Sequence, residues 1–156
     1  MQRLLVFLNP SKSLESAYHI NQALLAIGSG GFWGLGFGQS LQKYFYLPQV
    51  HTDSIFAIIT EELGFLRAGL VIVVFMFITW RGYKIASKAP DKFSRLLAAG
   101  ITTWITLQTL VNLAAIMGLI PLTGVPLPFV SYGGSSVVIL LAGAGILLNI
   151  SKQITR

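Results

Sequence analysis

The sequence predicts an all-α polytopic membrane protein in which a large outer loop is followed by three transmembrane helices. Three observations carry that prediction. Charged residues make up only 10% of the 156 and hydrophobic residues 54%, whereas a soluble domain carries about 25% charged residues. No charge occurs at positions 96–151, a run of 56 residues between Arg95 and Lys152, and one spanning helix needs roughly 20. That run is broken by Gly118-Leu-Ile-Pro121, Gly124-Val-Pro126-Leu-Pro128 and Ser131-Tyr-Gly133-Gly134, where Pro and Gly interrupt helices. A mean hydropathy of +0.72 excludes a disordered chain. The absence of cysteine excludes a disulfide scaffold or a thiolate–metal site. The pI of about 9.9 reads as basic flanks on membrane spans, with no nucleic-acid partner.

The elements follow in order. Residues 1–53 are too polar and Gly-rich to span a bilayer, yet too apolar for a linker. Within them, 17–28 reads as a short amphipathic helix with Tyr18, Leu24, Leu25 and Ile27 as membrane or core contacts. The stretch 28–38 sets six glycines among aromatics, which predicts close backbone packing or a loop folded against the bilayer. The apolar run 4–8 after Met1 is too short for a secretory signal. Three spans are expected at about 54–80, 96–119 and 129–150, with a basic loop at 81–95. The first span carries Glu61, Glu62 and Arg67 in its first half and is uncharged from Ala68 to Trp80.

The net charge of +6 is a topology signal. Arg81, Lys84, Lys88, Lys92 and Arg95 less Asp91 give the loop +4, and Lys152 with Arg156 gives the tail +2. The remaining charges cancel: Arg3, Lys12, Lys43 and Arg67 against Glu15, Asp53, Glu61 and Glu62. Because positive loops stay on the cytoplasmic side, the 81–95 loop and the C-terminus are expected there. Residues 1–53 and the 119–134 connection are then outside, and three helices satisfy the parity.

Most soluble-enzyme templates fail. There is no thiol nucleophile, His19 and His51 lack metal-helix spacing, and the glycine run matches neither GxGxxG nor GxxxxGK[ST]. What remains is Tyr46-Leu-Pro48-Gln-Val-His51-Thr52-Asp53-Ser54 leading into a helix that bears Glu61 and Glu62. Thr52 or Asp53 can cap that helix, a carboxylate being favoured at its positive end. Capping does not exclude catalysis. Two adjacent glutamates in a lipid-embedded helix are expensive and so mark function. The eight residues from Asp53 to Glu61 span about 80° of helical rotation, so the two share a face, and a carboxylate there can act as a general base. Arg67 is expected to neutralise Glu61 and Glu62. Lys43, beside Tyr44, Phe45 and Tyr46, is either a snorkelling interface cation or a ligand for an anionic headgroup. Gln108 and Asn112 are expected to hydrogen-bond to other helices, and Gly143 and Gly145 to let helices approach.

These residues resemble a known family. Tyr46-Leu-Pro-Gln-Val-His-Thr-Asp53 with Phe56-Ala57 and Glu61-Glu-Leu-Gly64 is similar to the outer loop and following helix of the bacterial FtsW/RodA/SpoVE (SEDS) family. Asn112, Gly118-Leu-Ile-Pro121-Leu-Thr-Gly124 and Pro128-Phe-Val-Ser131-Tyr-Gly-Gly-Ser-Ser136 resemble its C-terminal signature, in the same order. Phe7-Leu-Asn-Pro10, Gly28-Ser-Gly-Gly31 and Lys43 are most like the division-type branch. Gln49 and Ser54 depart from the family's usual Glu and Phe. The resemblance covers the large outer loop and the last three spans, so the chain is expected to be the C-terminal portion of a partial SEDS fold.

The resemblance implies peptidoglycan glycosyltransferase activity. Lipid II would be polymerised in the bacterial cytoplasmic membrane during division or wall growth, beside a class B penicillin-binding protein and other division or elongation proteins. Lipid II flipping and a non-catalytic scaffold are the alternatives. The resemblance makes Asp53 the catalytic residue. It makes Lys43, His51, Thr52, Glu61, Glu62, Arg67, Ser131, Gly133 and Gly134 candidates for substrate binding. Lys43, Arg67 or a divalent cation (Mg or Mn) would stabilise the leaving pyrophosphate, hard cations suiting phosphate oxygens.

Overall fold

The computed structural model describes residues 24–25, 28–36, 55–121 and 124–154. Its long elements are α1 (Ile55–Lys88), α2 (Lys92–Ile116) and α3 (Gly134–Ile154), each long and apolar enough to cross a membrane. Their large apolar side chains point outward, among them Val73, Met76 and Phe77 on α1, Leu107 and Leu110 on α2, and Ile139, Leu141 and Leu148 on α3. Such a surface suits hydrocarbon, because lipid provides no hydrophobic drive to hide it.

The bounds differ from expectation at both connections. The expected loop 81–95 is mostly helical, since α1 continues to Lys88 and α2 begins at Lys92, leaving only 89–91 between them. Long basic side chains are good helix formers and favour a helix C-terminus. The stop comes instead from Pro90, which disfavours helical backbone at Ala89, and from Asp91, the N-cap of α2. The other end of α2 closes around Gly118 (φ 70°). There the Gly118 and Leu119 N–H groups donate to Ala115 and Ala114 O at 3.1 and 2.9 Å, the pattern in which a left-handed glycine ends a helix. Residues 129–133, expected to begin the third span, are not helical, a turn covering 128–130, and α3 starts at Gly134.

α1 and α2 pack antiparallel along a seam of small and hydroxyl residues. Thr79 and Thr106 hydroxyls lie 3.0 Å apart and Tyr83 and Thr103 hydroxyls 2.9 Å apart. Between them a Cβ on Gly82 would stand 3.0 Å from Thr102 Cβ. Thr102, Thr103, Thr106 and Thr109 each donate to the carbonyl four residues earlier, at 2.7–2.9 Å. The hydroxyl protons of these four threonines are thus paired within the apolar phase. α3 closes on α2 at Gly143, where a Cβ would lie 3.2 Å from Ile101 Cγ2, and Ile150 joins Ala86 and Ala98 in a small core. The expected close approach therefore occurs at Gly143 but not at Gly145, which has nothing within 4 Å of a Cβ.

The larger core gathers Phe56, Ala57, Ala68, Phe75, Leu113, Ile116 and Leu127. Leu127 belongs to the connection after α2. The loop therefore folds back into the protein and plugs the space beside the start of α1.

Candidate functional site

α1 is one helix in outline but is broken at Gly64, whose backbone (φ 81°, ψ 169°) is not helical. The break removes the bonds by which Glu61 and Glu62 carbonyls would accept from Phe65 and Leu66. Segment 28–36 replaces them. Leu35 N donates to Glu61 O at 3.0 Å and Gly36 N to Glu62 O at 3.1 Å. In return Phe65 N donates to Gly31 O at 2.9 Å and Leu66 N to Phe32 O at 3.5 Å. Buried backbone groups need partners, and here two segments supply each other's. The approach depends on glycine: a Cβ on Gly34 would lie 2.6 Å from Gly64 N, and one on Gly30 would lie 2.9 Å from Glu61 Cα. Of the two expectations for the glycine run, close backbone packing is the one observed. Phe32 and Trp33 remain exposed, with the Phe32 ring edge-on to Phe65 at 6.4 Å.

The crossover holds the acidic pair inside. Glu61 is 1% and Glu62 8% exposed, and Thr60 between them and the helix start is buried with its hydroxyl on Phe56 O at 2.8 Å. Glu62 Oε1 has no hydrogen-bond partner among the described residues. The glutamates thus face protein, which lowers the cost that lipid exposure would carry. The expected neutralisation by Arg67 is not formed. Arg67 is exposed beyond the break, on the far side of the residue that redirects the helix, and makes no ion pair with either glutamate.

The loop after α2 packs against the start of α1 through Leu127. Asn112 Nδ2 donates to Val125 O at 2.7 Å and Gln108 Nε2 to Pro126 O at 3.0 Å. These amides therefore tie down the 124–133 loop, whose returning backbone presents bare carbonyls within their reach. Ser131, buried, accepts from Leu127 N at 2.8 Å through Oγ, while Ser131 N donates to Leu127 O at 3.0 Å. This closed turn holds Phe129 at φ 62°, a conformation that a bulky residue adopts only when its surroundings enforce it. Gly133 O accepts from Val137 N at 3.0 Å and from Ser136 Oγ at 2.9 Å, opening α3. Gly134, the first residue of α3, is exposed.

The structure therefore brings Glu61, Glu62 and the Ser131 turn to one end of the bundle, through the core shared by Phe56, Ala57 and Leu127. Arg67 faces outward, and Lys43, His51, Thr52 and Asp53 lie outside the described residues, as does most of the predicted 17–28 helix. Two features escaped sequence reasoning. The threonine seam had a signal in the i, i+4, i+7 spacing of 102, 106 and 109, whereas the backbone exchange had none beyond glycine spacing.

The FtsW/RodA/SpoVE family model, described as a cell cycle protein, matches residues 1–156. The chain belongs to that family. Among relatives, stage V sporulation protein E of Bacillus subtilis (strain 168) is 47% identical over 153 residues, covering 97% of this chain and 42% of that protein. The probable peptidoglycan glycosyltransferase FtsW of the same organism is 52% identical over 137 residues, 88% of this chain and 34% of that protein. Two solved structures share the fold. One, described as "Structural coordination of polymerization and crosslinking by a peptidoglycan synthase complex", superposes with a TM-score of 0.75 at 25% identity, over 98% of this chain and 41% of that chain. An aspartate-to-alanine variant of the Thermus thermophilus rod shape determining protein RodA gives 0.66 at 33% identity, over 86% and 40%. The chain thus spans less than half the length of the FtsW, SpoVE and RodA proteins it matches.

Proposed function

We propose that this chain forms the outer-loop and last-three-helix part of a peptidoglycan glycosyltransferase that polymerises lipid II, with Asp53 as general base. The observation that carries the reading is the convergence of the two family motifs. Leu127, between the two stretches of the C-terminal signature, packs in one core with Phe56 and Ala57 of the helix that follows His51-Thr52-Asp53 in the sequence. In the sequence Asp53 stands two residues before Ile55, the first residue of that helix.

Asp53 takes the proton from the acceptor sugar's 4-hydroxyl as that oxygen attacks the donor's anomeric carbon. The bond to undecaprenyl pyrophosphate breaks, and the α-linked donor becomes a β-linked product. One base suffices for direct displacement, provided the leaving group's charge is stabilised. Lys43 and the exposed Arg67 are the cations of this chain suited to that role, with His51 and Thr52 adjacent to the base in the sequence. Among the described residues no three His, Cys, Asp or Glu side chains converge on a metal site. A Mg or Mn ion, when bound, would stabilise the negative charge of the leaving pyrophosphate.

The same reading sets the protein in the bacterial cytoplasmic membrane, with residues 1–53 and 119–134 outside and the C-terminus in the cytoplasm, by the charge asymmetry. Its partner is a class B penicillin-binding protein, consistent with the matched complex that couples polymerisation to crosslinking. The test is lipid II polymerisation by the protein in proteoliposomes with that partner. Asp53→Asn should lower the rate by about 10²- to 10⁴-fold, the usual weight of a general base, with binding of the partner unchanged. An unaltered polymer yield would remove Asp53 from the chemistry.

A further inference from the structure

The four bonds that join segment 28–36 to α1 share an arithmetic property. Their donors and acceptors are Leu35 and Glu61, Gly36 and Glu62, Phe65 and Gly31, Leu66 and Phe32. Within each segment the same atoms stand at helical spacing, since 35 follows 31, 36 follows 32, 65 follows 61 and 66 follows 62 by four. Exchanged back, they would close two uninterrupted helical turns, with four hydrogen bonds again. Gly34 N already bonds Gly30 O at 2.8 Å, so segment 28–36 has begun such a turn. Hydrogen-bond number therefore does not choose between the crossed and uncrossed arrangements. The choice falls to backbone conformation and packing: Gly34 and Gly64 sit at φ 84° and 81°, and Cβ atoms on either would collide with the other's backbone.

We propose that this crossover is a two-state positioning joint and that the crossed state is the one that works on substrate. Crossed, it turns residues 55–63, which follow Asp53, away from the line of 65–88 and seats them against the 124–133 loop. Uncrossed, α1 runs straight through Gly64 and the segment after Asp53 leaves that wall. A two-state element with matched hydrogen bonding is the kind of device that a ligand or partner can bias. Gly64 acts through the helix it redirects and is a positioning residue. The functional half of the proposal rests on the glycosyltransferase reading above.

The test uses amide hydrogen exchange and polymerisation on the protein in nanodiscs. Gly64→Ala favours the straight helix. Leu35 and Gly36 amides, left closing only the short 31–36 turn, which frays, should then lose at least tenfold in protection, while Phe65 and Leu66 stay protected inside a continuous long helix by closing onto Glu61 and Glu62 carbonyls. Polymerisation should fall at least tenfold through kcat, with KM for lipid II little changed. Loss of all four amides together, or of none, would overturn the joint; so would the expected exchange pattern with a wild-type rate. A second arm does not depend on how Gly64→Ala folds. The chain has no cysteine, so Phe32→Cys with Phe65→Cys forms a clean pair where the two rings now touch. Oxidation should trap the crossed state with activity retained, and activity lost on oxidation and regained on reduction would overturn the proposal. If the wild type makes no polymer at all, the glycosyltransferase reading falls, while the exchange pattern still decides the joint.

Discussion

The two ends of the α1–α2 pair are built by different means. At the 89–91 end, two helices separated by three residues meet through Gly82, Thr102 and the Thr79–Thr106 contact. Its threonine hydroxyls are back-bonded to their own helix and Asp91 caps the start of α2. At the other end the backbone itself is shared between distant segments, two carboxyls are buried, and a loop is pinned by side-chain amides from α2. The first end only has to be stable. The second holds strained and costly groups, Phe129 at positive φ and a Glu62 oxygen with no partner among the described residues, which persist where the surroundings over-determine them and which cluster at working sites.

Four stability substitutions sharpen that contrast beside the larger activity loss predicted for Asp53→Asn. Leu127→Ala should have the largest effect on stability, about 2–5 kcal/mol, because it opens a cavity at a side chain only 1% exposed. Thermal unfolding in detergent reads the loss, and polymerisation should fall further than the unfolding shift accounts for, because the loop no longer braces α1. A stability loss with proportionate activity would make this end an ordinary core.

At the hairpin end, Gly82→Ala should destabilise by about 1–3 kcal/mol through overpacking. Thr102 cannot yield cheaply, since its hydroxyl is bonded to Ala98 O at 2.7 Å. Thr102→Ala in the same chain should restore most of the loss, whereas Gly69→Ala, with open space around it, should be neutral or stabilising by up to about 1 kcal/mol. Ser131→Ala leaves the buried Leu127 N–H without its acceptor and should lower stability by about 1–3 kcal/mol, toward the lower part of that range if the turn relaxes. Ser131→Thr should keep the bond and most of the stability.

The smallest effect belongs to Asp91, which is exposed. The Ser94 N–H, donating to Asp91 Oδ2 at 2.8 Å, holds its carboxyl below the ordinary 3.8. A depressed folded-state pKa contributes stability above the unfolded value, and that contribution is lost as pH falls through the lowered one. Asp91→Ala should therefore cause a slight shift in unfolding at neutral pH that vanishes in strong acid. A difference that persists in acid would mean the cap works through something other than its charge.

How much of this was legible beforehand varies by element. The three spans were readable because an uncharged run broken by Gly118, Pro121 and Pro128 leaves helices no other place to be. Their ends were misjudged where local capping by Asp91 and the Ser131 turn outweighed hydropathy. Glu61 and Glu62 could be singled out as costly, but their burial depends on Gly30 and Gly34 arriving from segment 28–36. Gln108 and Asn112 read as hydrogen-bonding residues from the sequence, but their bonds to the Pro126 and Val125 carbonyls could not be read there, because the returning loop is a tertiary event.

Taken alone, the sequence determined the class, the family and the charge asymmetry of this protein, since composition, spacing and motif order are properties of the chain itself. Tertiary structure decided which backbone accepts the bonds broken at Gly64, which residues Leu127 braces and why Arg67 stands apart from the glutamates. Those outcomes turn on approaches of a few ångströms between segments dozens of residues apart, and glycine, having no side chain, leaves almost no trace of its intended neighbour in the sequence.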